Sequence, residues 1–168
     1  MRQVSVVAVV LALLAMLSSA VQAAELSAES YVEHVGGGAY IMEYGELLLA
    51  GRRMTCGKRP VVIDPKLDDY AAAYPGFLIL NPAKIEQVDP VVAWWIFKHE
   101  CAHLFKGPDE ETADCWAVQR GRAEGWLGPE GIESICSFIR PAEGDSMHFG
   151  GSERCSIVRR CFGAKLLQ

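Results

Sequence analysis

The chain is short of positive charge, of repeats and of apolar runs able to cross a membrane, and each shortage removes a class of function. Among 168 residues, 16 Lys and Arg stand against 21 Asp and Glu. A nucleic-acid binder needs a basic face for the phosphates, and this balance does not supply one. No segment repeats, and no tract is polar or simple enough to stay unfolded. The one long apolar run, twelve residues from Val6 to Leu17, falls below the roughly 20 that a comfortable span requires. It follows Arg2 and leads to the small-residue exit Val21-Gln22-Ala23. That arrangement predicts a secretory signal peptide over residues 1–23, cleaved after Ala23. No cysteine lies near that point, so no lipid anchor is expected. The expected mature chain, residues 24–168, carries 15 Lys and Arg against 21 Asp and Glu, a net charge of −6. It reads as one secreted or periplasmic domain with no stable membrane insertion.

What is present is cysteine. Cys56, Cys101, Cys115, Cys136, Cys155 and Cys161 are even in number, and in an oxidising compartment they predict disulfides with no free thiol. The nearest pair, Cys155 and Cys161, has five residues between its members. Zinc knuckles use two to four, so a thiolate cluster is not expected.

The periodicity divides the chain in three. Ala28–His34 is helical in pattern, Gly36-Gly37-Gly38 punctuates it, and Tyr40–Ala50 reads as a second segment closed by Gly51. Val61-Val62-Ile63 and Phe77-Leu78-Ile79-Leu80 are strand-like runs bounded by proline or glycine. Beyond them, Asp89 is a good N-cap with Pro90 at the first helical position, and Val91–Phe105 is apolar nearly all round, hence a buried helix. Gly107-Pro108 ends it, and further helices are expected from Asp109 to Gly125 and from Pro129 to Ile139. The fold class predicted is α+β, a short antiparallel or mixed sheet within residues 53–81 packed on a helical half.

The chemistry gathers at the end of the buried helix. His99-Glu100-Cys101-Ala102-His103 places two histidines four residues apart, on one helix face, where both can ligate one metal ion. Glu100 lies about 60° round the helix from His103 at ~100° per residue, near enough to take a proton from an attacking water without being a ligand. Zinc is the ion such a pair suits, and it would acidify that water. Two histidines interrupting an otherwise apolar buried helix need such a reason to be there. A catalytic zinc has three protein ligands and an open position. Asp109-Glu110-Glu111-Thr112-Ala113-Asp114 follows at once, and Glu110 and Asp114 share a helix face. One of them can bind the metal while the other holds the far nitrogen of a histidine.

These motifs resemble the gluzincin metallopeptidases, particularly the CAAX-prenyl-protease clan and its small soluble relatives. In that clan His-Glu-x-x-His is followed by Glu-x-x-Ala-Asp, which Glu110 to Asp114 matches. The resemblance spans residues 76–161. It implies a minimal zincin-like fold, one catalytic Zn2+ held by His99, His103 and Glu110, and Asp114 behind a histidine ligand. A histidine followed six residues later by arginine is a further clan feature, matched by His148 and Arg154. The histidine would support the developing oxyanion, and the arginine would organise the acidic partners. The clan's proline after that histidine is Phe149 here, and its best-known members span membranes several times. The short step from His103 to Glu110 leaves Glu111 and Asp114 open as the third ligand. The strand before the zinc helix often borders the cleft in such peptidases, so Phe77–Leu80 is the expected edge for an extended peptide.

The function implied is zinc-dependent endopeptidase action on a peptide or protein substrate outside the cytoplasm. A non-catalytic binding protein stabilised by zinc and disulfides is the alternative, and a disulfide-stapled interaction domain without metal is a third. Among the cysteines, Cys101 points about 160° from His103 at ~100° per residue. Its expected partner is Cys115, which would clamp the two ligand helices together. His34 is expected on the surface, and Trp94 and Trp95 in the core.

Overall fold

The computed structural model describes residues 26–144 and 149–164. The signal segment 1–23 and His148 therefore lie outside the described residues. The chain is α+β, with a small mixed sheet and several helices.

Helix α1, Ala28–Val35, starts at a Ser27 cap whose hydroxyl and that of Ser30 serve each other's backbone N–H. Strand β1, Tyr40–Met42, follows the glycines, then a hairpin of β2, Leu48–Leu49, and β3, Arg52–Arg53. The helix-like pattern of 40–50 is thus overturned. Ala50 and Gly51 sit at φ +46° and +77°, so two residues of positive φ turn the hairpin, and the glycine is a turn residue, not a helix end. Strands β4, Val61–Ile63, β5, Ala71–Tyr74, and β6, Phe77–Leu80, complete the set.

The main sheet has the order β1-β4-β6-β5. Strand β4 pairs antiparallel with β1 and parallel with β6, which pairs antiparallel with β5. Phe77–Leu80 is therefore central and has no free edge, contrary to expectation. All four of its residues are buried, which is what a continuous apolar run means. The edge on its side of the sheet belongs to β5, and β1 forms the other. Alternation sorts the two faces. Val62, Phe77 and Ile79 pack with Ala28 beneath α1, while Val61, Ile63, Leu78 and Leu80 face the main helical core.

Helix α2, Pro82–Ile85, leads to α3, Pro90–Lys106, whose Asp89 side chain accepts from Val91 N–H. Gly107-Pro108 turns the chain into α4, Glu110–Ala123, capped by Asp109 on Thr112 N–H. Helix α5 is Pro129–Ile139, and α6, Gly151–Gly163, is a helix that the glycine-rich tail does not announce. Gly151 is needed where α6 meets α5, because a Cβ there would lie 1.9 Å from the Ile139 carbonyl oxygen. Buried Lys98 reaches Glu124 at 2.9 Å and ties α3 to the end of α4.

Three disulfides join Cys56–Cys101, Cys115–Cys161 and Cys136–Cys155, and the described residues include no free cysteine. The expected Cys101–Cys115 bridge is not formed. Asp114 is the α4 residue turned toward His99. Cys115, about 100° further round, is turned to α6 instead.

Candidate metal centre

His99 and His103 stand one turn apart on α3, and the turn at Gly107-Pro108 returns α4 so that Glu110 faces them. The His99 and His103 Nε2 atoms are 3.1 Å apart. The Glu110 carboxylate lies 3.2 Å from the first and 3.4 Å from the second. One ligand atom from each of the three residues falls within 4.8 Å of the others, so the group could hold a metal ion. Two nitrogens bound tetrahedrally to one zinc at ~2.1 Å lie about 3.4 Å apart, close to the spacing found.

The far side of each ring is committed. The Nδ1 of His99 is 2.8 Å from Asp114 Oδ1, and that of His103 is 2.9 Å from the Gly107 carbonyl oxygen. Both acceptors favour a proton on Nδ1, which leaves the Nε2 lone pairs converging on one point. Converging lone pairs repel unless a proton or a metal cation sits between them, and the Glu110 carboxylate beside both favours either. Charge counting agrees. With neutral imidazoles, Glu100, Glu110 and Asp114 against Arg154 leave two negative charges, the complement of a divalent ion.

Arg154, on α6, forks onto Asp114 with Nε–Oδ2 at 2.9 Å and Nη2–Oδ1 at 2.7 Å. Its Nη2 is also 3.8 Å from Glu110. Asp114 is wholly buried. Burial pushes its carboxyl up, but His99 and Arg154 outweigh that and hold it below the usual carboxylate range. Glu110 is likewise lowered, its desolvation outweighed by both histidines. His99 is pushed down by burial and more strongly up by Asp114 and Glu110, to about 9. His103 is raised, chiefly by Glu110.

Glu111, open by sequence as a ligand, turns outward to Arg160. Asp114 stands behind His99, with Arg154 on it. Glu110 is the acid in the ligand group. Glu100 is not in it, and burial raises its pKa against a backbone hydrogen bond with Ala73. His34 is exposed.

The group opens into a cleft of about 670 Å³ lined by β5, α3, α5 and α6 residues. A second recess, bounded by Tyr74, Leu104 and Pro108, shares Ala73, Glu100, His103 and Glu110 with it. The cleft edge is β5. Tyr70 O accepts from Asn81 N–H, and the register pairs Ala72 with Ile79 and Tyr74 with Phe77. In an antiparallel ladder the intervening Ala71 and Ala73 turn their N–H and C=O groups to the free edge.

Sequence reasoning missed this edge, since an alanine run carries little strand signal. It also kept Trp95 wholly for the core. Trp95 is buried, yet it lines the cleft one turn before His99, and the i, i−4 spacing was the available sign. Its indole N–H has no acceptor among the described residues. No helix among the described residues is long and apolar enough to cross a membrane. No family model matches the chain, and neither a curated protein nor a solved structure matches it.

Proposed function

We propose that this chain is a secreted or periplasmic zinc endopeptidase of the gluzincin kind, with His99, His103 and Glu110 holding the metal. Bound there, zinc would supply Lewis acidity, acidifying a water and polarising the substrate carbonyl. The rest falls to the protein's own groups. Glu100 accepts the water's proton at its carboxylate and passes it to the leaving nitrogen. A carboxyl raised by burial is better matched to that task at neutral pH than an exposed one. Asp114 and Gly107 keep protons on the Nδ1 atoms, and Arg154 keeps Asp114 charged. An extended peptide adds at the outward groups of Ala71 and the Ala73 carbonyl, beside the Ala73 N–H that Glu100 holds, and continues into both recesses, which suits an internal bond. His148, if brought to the cleft, would support the oxyanion. Three disulfides suit an oxidising compartment.

The observation that carries this reading is the place of Glu100. It is a half-buried acid outside the ligand group, is held by the Ala73 backbone of β5, and lines both recesses. A purely structural metal has no use for it. Glu100→Gln should retain stoichiometric zinc and the fold while peptide hydrolysis falls about 10²- to 10⁴-fold. Undiminished hydrolysis in that variant, assayed on a peptide library by mass spectrometry, would remove the proposed mechanism.

A further inference from the structure

One wall of the larger cleft is a chain of rings leading from a ligand to the rim. Trp95 lies 5.5 Å from His99, Phe138 lies 6.5 Å from Trp95, and Tyr70 meets Phe138 edge to face at 5.1 Å. The rim beyond is acidic. Asp69 immediately precedes Tyr70, and Glu143 follows Phe138 on the loop after α5. Both are exposed, both line the cleft, and neither has an ion-pair partner among the described residues. Among the described residues the lining holds a single Lys or Arg, Arg154, which is committed to Asp114 and stands over the Trp95 ring at 5.4 Å. An acidic or apolar side chain entering here gains nothing from the rim. A basic one meets two carboxylates that no ion pair occupies among the described residues, beside an apolar ring wall along which its stem can lie.

Resting on the peptidase reading, we propose that this compartment receives a lysine or arginine side chain from the substrate residue next to the scissile bond. Its aliphatic stem lies along the wall of Phe138 and Tyr70, as long basic side chains do on apolar surface. Its charged end reaches Asp69 and Glu143. The substrate class is accordingly an extended polypeptide with a basic residue at the cleavage point.

The test uses the zinc-loaded mature chain and capped octapeptides of alanine and serine, with lysine, leucine or glutamate scanned through the central positions. Two readouts are taken, kcat/KM with the parent and equilibrium binding to the Glu100→Gln variant. Lysine peptides should exceed leucine peptides about tenfold in both, with glutamate peptides weaker than either, from two exposed carboxylates and a ring contact together. The double substitution Asp69→Asn, Glu143→Gln should bring the lysine-to-leucine ratio within about twofold of one, as should high salt. A ratio near one in the parent, or a preference that survives the double substitution, overturns the proposal while hydrolysis upholds the peptidase reading. Selective binding of lysine peptides without hydrolysis sinks the peptidase reading and leaves the basic-residue subsite standing. Absence of both binding and cleavage rejects the two together.

Discussion

At the scale of single residues, the centre depends on where protons sit. Asp114 holds His99 by its Nδ1 and is itself held by the fork of Arg154. Asp114→Asn keeps the volume but removes the charge that orients both neighbours. It should weaken zinc binding roughly 10- to 100-fold, the usual cost of losing a partner behind a ligand. Glu111→Gln, whose carboxylate faces Arg160, should stay within about twofold by the same chelator competition, given the small weight of exposed pairs. If the two variants lose affinity equally, Glu111 has been misplaced. A different residue sets an alkaline limit. The Tyr31 hydroxyl donates to Asp64 at 2.7 Å, and burial with that carboxylate pushes its pKa up to about 12. The unfolded chain titrates near 10. Its contribution is therefore complete below about pH 10 and is lost as pH rises from there through about 12. Absorbance titration at about 295 nm should show a late-ionising tyrosine that Tyr31→Phe removes, and that variant's stability should vary less with pH over the same interval.

At the scale of elements, three helices supply the centre and each carries a cysteine beside a site residue. Cys101 lies within the histidine pair of α3, Cys115 follows Asp114 on α4, and Cys155 follows Arg154 on α6. Their partners are Cys56, Cys161 and Cys136. The first bridge ties the ligand helix to the loop before β4 across a sequence separation of 45. Replacing Cys56 and Cys101 together by alanine should cost about 4 kcal/mol on the loop-entropy account. Denaturant unfolding measures it, and a loss under ~1 kcal/mol would mean that the bridge is redundant with the core packing around it. Non-reducing peptide mapping should recover Cys115 linked to Cys161. A Cys101–Cys115 peptide would contradict the placement of α6 against α4.

For the whole molecule, three disulfides and a core drawn from sheet and helices supply stability that no ligand atom provides, which small domains that fold only on binding zinc lack. Chelation should leave far-UV circular dichroism intact. Restoring zinc at a thousandfold excess over its dissociation constant should stabilise by about 4 kcal/mol, roughly 10 °C in Tm for a domain of this size. Loss of secondary structure on chelation would instead make the ion part of the fold, and would favour the stabilising role over the catalytic one.

Features that depend on neighbours along the chain were legible before the fold was known. The helix starts at Asp89-Pro90 and Asp109 were readable because caps act within one turn. The histidine pair and Glu100 were readable because helical spacing alone puts them on one side. The apolar runs of β4 and β6 announced strands for the same local reason, and the evenness of the cysteines announced their pairing in general. Features that depend on how elements face one another became legible once those elements were packed. Phe77–Leu80 reads alike as an edge or a centre until Ala71–Tyr74 is laid beside it. Glu110, Glu111 and Asp114 all lie within one turn and a half, and the angle at which α4 returns from Gly107-Pro108 chooses among them. Arg154 meets Asp114 across 40 positions of sequence, and the bridge partners lie 19 to 46 positions apart. No periodicity carries contacts of that range, because they are set by packed surfaces and not by the pitch of one helix.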